Sequence, residues 1–581
     1  MSMKTLFTTQ KRHQAGSALM LTMIMSAIAL ALLAGAMSWS ASSTRLTHRS
    51  IQYTRSVAAA EAATEKVVSQ IRRDFLYGGE SLVVNNLNSY RQNTVPSTSD
   101  SAYWSTWEFN DATGNIGQTY VQRGSARNYV VLGSYAGLKG YVSTYTVVSH
   151  ARDTASPQDV TAGVLQELQL TSIPIYQHAM YSSGDMEISC GQPFDITGRV
   201  HSNGHLYIEP DSSMTFESGV TAVVDILFQR DPLDPRGLVP NGGVVYVHPE
   251  EKISPVAAMT LPIGTTNTPE AIREIIEPPP LGEDPNSPLG RLRYYNLCDM
   301  LLVVSDTGIS ATSGRFNNFH TIIPTNELAL FVSTASFFSD ARESKTVQPI
   351  DINIGNLTAW NQTNTSLRYS LLGSNLTSVY VVDNRALPAT SLGAVRVVNG
   401  TTLPPNGLTV ATGRPLYVLG DYNELNAANL GTANTSTTRP ASLVADAITI
   451  LSDNWSDANS ANPVGSRNAA NTTVNAAFLT GVVETTTAHY SGGMENFPRF
   501  LETWGLANVF TYNGSMIKMF PSLYATNAWE NNNNIYDPPA RNWAYDANFD
   551  DPTKLPPQTP SSLVVYRHQW ATVTPDQNVA P

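Results

Sequence analysis

The sequence GSALMLTMIMSAIALALLAGAMS, which occupies Gly16–Ser38, determines how the rest of the chain is arranged. Residues 13–44 contain no Asp, Glu, Lys or Arg, and a helix needs about 20 apolar residues to cross the hydrocarbon core of a bilayer. The first proline is Pro96, so nothing before Gly78-Gly79 is expected to end the helix. We predict one helix over residues 17–77, roughly 90 Å long at 1.5 Å per residue, of which only the first third fits in a membrane.

The second half of the predicted helix is amphipathic. Apolar or small residues recur at spacings of three and four, and most charged residues fall outside this stripe, as in a helix that packs on a folded domain. The stripe consists of Val57, Ala60, Thr64, Val68, Ile71 and Phe75. The pattern therefore predicts a membrane span that continues into a docked helix.

A short basic leader, a glycine and a helix of this kind resemble the N-terminus of a type IV prepilin. The stretches Gly16-Ser17-Ala18-Leu19 and Ala59-Ala60-Glu61-Ala62-Ala63 more closely resemble the large minor pilins and pseudopilins of the PilX N-terminal (GspK-like) group. The resemblance implies that prepilin peptidase cuts after Gly16 and leaves Ser17 as the N-terminus. It also implies that the helix, beginning with Ala18 and Leu19, packs against other pilins.

The fifth position of the expected mature chain departs from the major pilins. Those proteins have a glutamate there, thought to pair with the N-terminal amine of the subunit above, whereas this chain has Leu21. An unpaired carboxylate in lipid is costly, so Leu21 suits the membrane but cannot supply that pairing. The GspK-like group also lacks the glutamate and is placed at fibre tips, which implies a tip location here. A signal anchor or an uncleaved type II membrane protein is the alternative interpretation.

Charge alone does not set the orientation, because three basic residues precede the span and three follow it within a short distance. The bulk of the chain lies beyond the span, and with the resemblance this predicts a single-pass inner-membrane protein with a cytoplasmic N-terminus. After assembly the body would lie on a pilus or the cell surface. Residues 1–76 carry a net charge of +6 against −12 for the whole chain, which leaves −18 for the remainder. Such an acidic body argues against nucleic acid as a partner.

The remainder is predicted to be β-rich. Short alternating runs predict an antiparallel sheet in residues 78–175, which would pack on the helix and complete an α+β, pilin-like domain. Residues 176–490 have very short strands about eight to ten residues apart, typical of an all-β, β-solenoid-like domain, although a sandwich also fits. Residues 225–300 are expected to leave this pattern. Residues 491–581, rich in aromatics and proline, are predicted to form a C-terminal cap with a helix over 496–504.

Recognisable catalytic motifs are absent from the sequence: there is no Gly-x-Ser-x-Gly, His-Glu-x-x-His or Cys-x-x-Cys and no complete EF-hand loop. His201 and His205 flank Asn203-Gly204, so we predict exposed turn histidines rather than metal ligands. We expect no cofactor. Calcium is the alternative, because Asx side chains offer oxygen ligands, although they also dominate turns for local reasons. The calcium candidates are Asp421, Asn423, Asp453 and Asp457.

The two cysteines, Cys190 and Cys298, suit an extracytoplasmic chain either as a disulfide or as free buried thiols. Taken together, the features predict a non-enzymatic component of a type IV pilus or type II secretion fibre. Its β-rich body would serve in adhesion, through a surface ligand that the sequence does not identify, or in priming assembly. The alternative from another class is a membrane-anchored β-solenoid enzyme that acts on extracellular polysaccharide.

Overall fold

The computed structural model describes residues 15–111, 113–132, 137–236, 242–314, 321–363, 375–527, 529 and 535–574. The predicted leader, residues 1–16, lies outside these residues except for its last two positions.

The long N-terminal helix is confirmed. Helix α1 spans Ala15–Asn85, and its backbone leaves helical geometry only at Gly78 (φ −136°, ψ 15°) and Gly79 (φ 72°, ψ −172°). Glycine reaches the positive φ at position 79 without the steric cost that a Cβ would add. The helix is therefore continuous up to the two glycines and resumes for a short stretch after them.

Five short helices and 31 strands are assigned in the described residues after α1. The helices are α2 (Leu87–Asn93), α3 (Pro269–Arg273), α4 (Tyr294–Leu297), α5 (Thr325–Leu328) and α6 (Ile354–Thr363). The first strands are β1 (Trp107–Asn110), β2 (Tyr120–Leu132), β3 (Leu138–Asp153) and β4 (Thr161–Pro174). The next strands are β5 (Met180–Ser182), β6 (Met186–Ile188), β7 (Phe194–Ile196), β8 (Val200–Ser202), β9 (Leu206–Ile208), β10 (Met214–Phe216), β11 (Val220–Ala222), β12 (Ile226–Leu227), β13 (Val244–Tyr246) and β14 (Lys252–Ile253).

The later strands are longer on average. They are β15 (Met300–Ser305), β16 (Gly308–Ser313), β17 (Thr321–Ile323), β18 (Val332–Ser333), β19 (Phe338–Asp340), β20 (Lys345–Asn353), β21 (Ser378–Asp383), β22 (Ser391–Gly400), β23 (Leu408–Thr412), β24 (Leu416–Tyr422), β25 (Ala441–Ala445), β26 (Ile448–Leu451), β27 (Thr472–Val482), β28 (Arg499–Phe500), β29 (Val509–Pro521), β30 (Ala540–Tyr545) and β31 (Ser561–Val573).

One antiparallel sheet carries the docked part of α1. Strands β1 and β2 pair with β3, β3 pairs with β4, and β4 pairs with β31. Helix side chains pack with Tyr145, Val147 and Leu168 of the sheet in one apolar cluster. Of the stripe predicted from the sequence, Val57 is half-buried and the other members are buried: Ala60, Thr64, Val68, Ile71 and Phe75. The amphipathic pattern thus identified the docking face of the helix.

Strands β5 to β14 form three successive coils that stack in parallel. Met180 pairs with Val200 and Val200 with Val220, so the first two repeats are 20 residues long. The turns are tight: a Cβ at Gly204 would lie 2.0 Å from Asp185 Oδ1, the atom that accepts a hydrogen bond from the His205 amide. The third coil still pairs with the second through β12 and β13, and β14 pairs in turn with β11 of the third coil. The predicted excursion therefore begins near residue 254 rather than 225.

The later strands continue the parallel pairing. One series runs β20–β22–β24–β26–β28 and the other runs β15–β21–β23–β25–β27–β29. Strand β29 also pairs with β5, so this series continues into the first coils. A single apolar cluster fills the interior from Met180 to Tyr536.

The C-terminal part is not the separate cap that the sequence predicted. Strands β29 and β30 belong to the parallel ladder, by which we mean the series of parallel-paired strands described above. Strand β31 belongs to the antiparallel sheet. The helix predicted over residues 496–504 was wrong: a 3₁₀ turn, Met494–Asn496, is followed by β28. Phe500 and Trp504 are instead core residues that fill the end of the interior, which explains the aromatic density there.

The segment between β14 and β15 packs on the outside of the ladder. Thr268 caps α3 by accepting a hydrogen bond from the Ala271 amide, and Pro269 occupies the first turn. The Arg273 guanidinium, 6% exposed, lies 2.7 Å from Asp446 Oδ1. Apolar residues of the segment join a second core cluster on that face.

Candidate functional site

The first part of α1 projects from the folded body. Every side chain from Ser17 to Ile51 is exposed, and Ser56 is the first buried residue. This helix is the one described segment long and apolar enough to cross a membrane. Residues 17–55 would extend for about 58 Å, roughly twice the thickness of a hydrocarbon core. About half of the exposed part therefore stays outside the core.

The portion nearest the body, residues 38–55, which we call the neck, combines hydroxyl and apolar side chains. The hydroxyls of Thr44, Thr47 and Thr54 donate to the carbonyls four residues earlier, at 2.8, 2.9 and 3.1 Å, so they satisfy themselves within the helix. The neck also exposes large apolar side chains: Trp39, Leu46, Ile51 and Tyr53. Such a surface can be covered by other helices without leaving these hydroxyls unpaired.

Below the neck, small residues bring α1 close to the sheet. Ala59, Ala60 and Ala63 are at most 2% exposed and pack with Trp107 and Phe109. The Ala-Ala-Glu-Ala-Ala stretch therefore has a packing role here, because larger side chains would separate the helix from the strands.

Polar contacts fix the position of α1 along the sheet. Ser56 Oγ donates to the Val160 carbonyl at 2.9 Å. Gln166 Nε2 donates to Thr64 Oγ1 at 3.0 Å and to Glu65 Oε1 at 2.9 Å. Because these donors and acceptors are positioned by separate elements, sliding the helix by one turn would break all three bonds. The exposed segment thus projects from a fixed base.

Comparisons with known proteins add little to this geometry. The sequence matches no family model and no curated protein. Among solved structures, the crystal structure of the competence-associated pilin ComZ from Thermus thermophilus is similar at a TM-score of 0.28. The two chains are 10% identical, and the match covers 89% of this chain and 97% of that chain. A likeness at this level establishes neither the fold nor the function of this chain.

The expected processing and assembly residues lie on the exposed helix. Gly16 and Ser17 are within its first turn. Leu19 and Leu21 are 66% and 63% exposed, and Ala18 is exposed as well. None of the described side chains of the body covers them, so their surfaces are available to lipid or to neighbouring helices.

A second cluster of functional groups lies at the edge of the first coils. The guanidinium of Arg236 lies 2.6 Å from Glu209 Oε1 and 2.6 Å from Asp234 Oδ2, and it stacks on the Tyr490 ring at 3.2 Å. Arg230 Nε lies 2.6 Å from the other oxygen of Glu209. Two arginines thus hold together carboxylates of the second and third coils.

Four buried carboxyl groups lie in or beside this network: Glu187, Glu209, Asp234 and Glu495. Burial, with Glu209 and Asp234 nearby, raises the pKa of Glu187 to about 9. Burial also raises the pKa of Glu495 to about 6, although it accepts hydrogen bonds from Ser189 and Tyr490. Burial thus favours the protonated form of Glu187, which can donate a hydrogen bond.

Oxygens of Glu187, Glu209 and Asp234 lie within 4.8 Å of one another, as in a cation site. Arg236 already occupies the position between Glu209 and Asp234, and its charge replaces that of a metal ion. The arrangement is therefore an ion network that joins the coils. Sequence patterns did not reveal it, because Arg230 and Arg236 stand in a Pro-rich loop that reads as a turn.

The predicted calcium candidates are not brought together into one site. Asp457 Oδ1 pairs with Arg396 at 2.7 Å, and Asn423 is buried with its amide on the carbonyls of Arg439 and Asn475. Burial, together with the charge of Asp453, raises the pKa of Asp421. Asp421 Oδ1 accepts a hydrogen bond from the Thr473 amide at 2.7 Å.

The two cysteines are buried in different core clusters and are not joined in a disulfide. The expectation for His201 was also wrong. Its ring is fully buried, contacts Thr221 Oγ1 at 2.8 Å and Asn203 Oδ1 at 3.0 Å, and stacks on Tyr181. Burial lowers the pKa of His201 to about 4. The turn that the sequence indicated is present, but the coil stack covers this side chain.

Proposed function

We propose that this chain is a minor pilin-like or pseudopilin-like structural component of a type IV pilus or type II secretion fibre. One observation carries the proposal: the apolar half of α1 is not covered by any other part of the described chain, and its other half is fixed on an antiparallel sheet. An uncovered apolar helix of this length is stable in lipid or inside a bundle of like helices. We propose further that the protein is not an enzyme and that it has no cofactor.

Assembly by this mechanism has two stages. The apolar part first holds the subunit in the inner membrane with its N-terminus in the cytoplasm, where prepilin peptidase removes residues 1–16. The helix then leaves the lipid by exchanging it for the helices of other pilins, and this exchange costs little because both environments are apolar. The neck completes the contact outside the hydrocarbon core.

Leu21 favours a position at the tip. When another subunit is added above, its N-terminal amine must pair with a negative charge on the subunit below. A leucine offers no such charge. The resemblance to GspK-like proteins supports the same position. The large body would then be presented at the fibre end, where it meets no neighbour on one side.

The body suits a surface module. Its parallel coils support the β-solenoid-like interpretation, because each coil adds one rung to a continuous core and leaves the turns on the outside. We propose that these turns carry the adhesive or assembly-priming function.

Replacing Gly16 by Leu tests the proposal. We expect the variant to keep its leader and to be absent from sheared surface fibres, while the wild-type chain begins at Ser17 and co-purifies with them. Gly35→Ala is a matched control, because a Cβ at Gly35 meets nothing within 4 Å. Detection of an intact Met1 in the wild-type fibre-associated protein would overturn the proposal. Unchanged fibres with loss of polysaccharide cleavage would support the enzyme alternative instead.

A further inference from the structure

A cavity of about 190 Å³ opens between the first coils and the loop that follows β27. Met186, Met494 and Phe497 form its apolar lining, and Arg342 and Arg499 contribute to its wall. It is not part of the exposed helix, and its one common member with the ion network described above is Glu187.

Arg342 is a buried cation with few partners. It is 6% exposed, and its guanidinium makes one hydrogen bond within the described chain, from Nε to the Asn527 carbonyl at 3.2 Å. No carboxylate of the described residues forms an ion pair with it. Burial, reinforced by the neighbouring Arg499, lowers the pKa of Arg342 to about 9. A buried cation without a paired anion is costly, so the site favours any anion that can reach it.

The nearest carboxylates are occupied by other donors. Asp340 accepts hydrogen bonds from two backbone amides and from the Tyr417 hydroxyl at 2.7 Å. Glu343 pairs with Arg499 and accepts from the amides of Thr526 and Asn527 at 3.1 and 3.2 Å. These groups are fixed where they are and leave the remaining nitrogens of Arg342 available to a ligand.

The other charged groups of the cavity select the kind of anion. Glu187 Oε1 lies 3.9 Å from Arg236 Nη2 and makes no hydrogen bond in the described residues. Burial raises the pKa of Glu187, and its protonated form can donate a hydrogen bond to a bound oxygen. The Lys518 ammonium is already paired within the cavity, because its Nζ lies 3.7 Å from Glu484 Oε1. Asp185 and Asp231 add further negative charge and oppose dianions.

We infer that this cavity binds a single carboxylate, of a small molecule or of a peptide C-terminus, with the guanidinium of Arg342 as its anchor. A guanidinium binds a carboxylate through two parallel N–H···O bonds, and the apolar lining would accommodate the group attached to it. A ligand that also carries an ammonium group should bind more tightly, because the acidic residues of the cavity attract its positive charge.

The test uses the full chain in detergent at pH 7 and constant ionic strength. We expect acetate, followed by saturation-transfer NMR, to bind saturably with a midpoint at least tenfold lower than that of phosphate. Arg342→Gln should weaken acetate binding at least tenfold and Arg342→Lys by less. Arg439→Gln, which alters an exposed arginine, should have no effect. Phosphate binding as tight as acetate, or no saturable acetate binding, would overturn the inference.

A second variant keeps the inference testable if Arg342→Gln does not fold. Val483 lines the cavity and is half-buried, so Val483→Trp should close it and leave Arg342 in place. Loss of acetate binding is expected, and unchanged binding would contradict the site. A dipeptide with a free C-terminus compared with its amide then distinguishes the sources. Binding of the free form alone identifies a peptide terminus, and binding of acetate alone identifies a small acid.

Discussion

Glu65 of α1 and Arg567 of β31 form a two-point ion pair, with Nη1–Oε1 and Nη2–Oε2 distances of 2.6 and 2.7 Å, although 502 positions separate them. The long N-terminal helix and the last strand of the described residues are therefore in direct contact. Residues 175–560 form an insertion between two paired strands, β4 and β31, of the sheet that carries the helix. The chain therefore joins the sheet to the inserted body twice, through β4 and through β31. Two adjacent connections resist hinge motion better than one, so force applied to the helix should reach the body without a flexible joint.

The first prediction separates the ion pair from the packing beside it. Arg567→Ala should lower the free energy of unfolding by less than about 1 kcal/mol, because the two side chains are 62% and 31% exposed. Leu563→Ala should lower it by about 2–5 kcal/mol, because Leu563 is buried among helix and strand residues. Thermal unfolding of the detergent-solubilised chain, followed by tryptophan fluorescence, measures both. A larger effect of Arg567→Ala would show that the ion pair, not the core, holds β31.

The second prediction concerns the close approach of α1 to the sheet. Ala60→Leu should destabilise docking by about 1–3 kcal/mol, because the added atoms would meet Trp107 and Phe109 in a packed core. Ala58→Leu is the matched control, since Ala58 is exposed on the same helix. Limited proteolysis of the strand connections should become faster in the first variant and stay unchanged in the second. Equal protection of both variants would contradict the packing role of the alanines.

The third prediction is a pH dependence that arises from Glu502. Burial raises the pKa of this carboxyl to about 7, even though Ser452 donates two hydrogen bonds to it. The folded state therefore binds a proton that the unfolded state has lost above pH 4.5, so the stability contributed by this group falls as pH rises from about 4.5 to 7. Glu502→Gln should remove the dependence and gain roughly 3 kcal/mol relative to the wild type at pH 8. Melting temperatures at pH 4.5 and 8 measure it, and parallel profiles would show that Glu502 is charged in the fold.

The fourth prediction tests the role of Leu21 within the proposed function. Leu21→Glu should supply the missing carboxylate and raise the number of subunits per fibre several-fold, because a neighbour's N-terminal amine can then pair with it. Leu19→Glu places the same charge two residues away and should instead reduce membrane insertion without raising incorporation. Quantitative immunoblots of purified fibres measure both. Equal incorporation of the two variants would show that residue 21 does not determine where the subunit is placed in the fibre.

Several features were predictable because they depend on local sequence. The stripe from Ala60 to Phe75 marked the docked face, and Gly78-Gly79 marked the end of the continuous helix. The short strands of the coils were visible from their turns. The pairing of β29 with β5 was not, because alternating apolar strands fit many partners equally well and only the complete core selects one. The Arg236 and Arg342 sites were missed because Glu209 and Tyr490 beside Arg236, and Asn527 beside Arg342, come from other parts of the chain.

The sequence by itself determined that the chain begins with one long helix, apolar at first and amphipathic later, because hydropathy, the absence of proline before residue 96 and the two glycines act within a few turns of the backbone. The tertiary structure alone decided that β31 returns to the helix-bearing sheet, that the supposed cap is part of the core, and that Arg230 and Arg236 meet Glu209 of the preceding coil. The first two outcomes depend on contacts between residues that are hundreds of positions apart. Such contacts become favourable only when the whole body is folded.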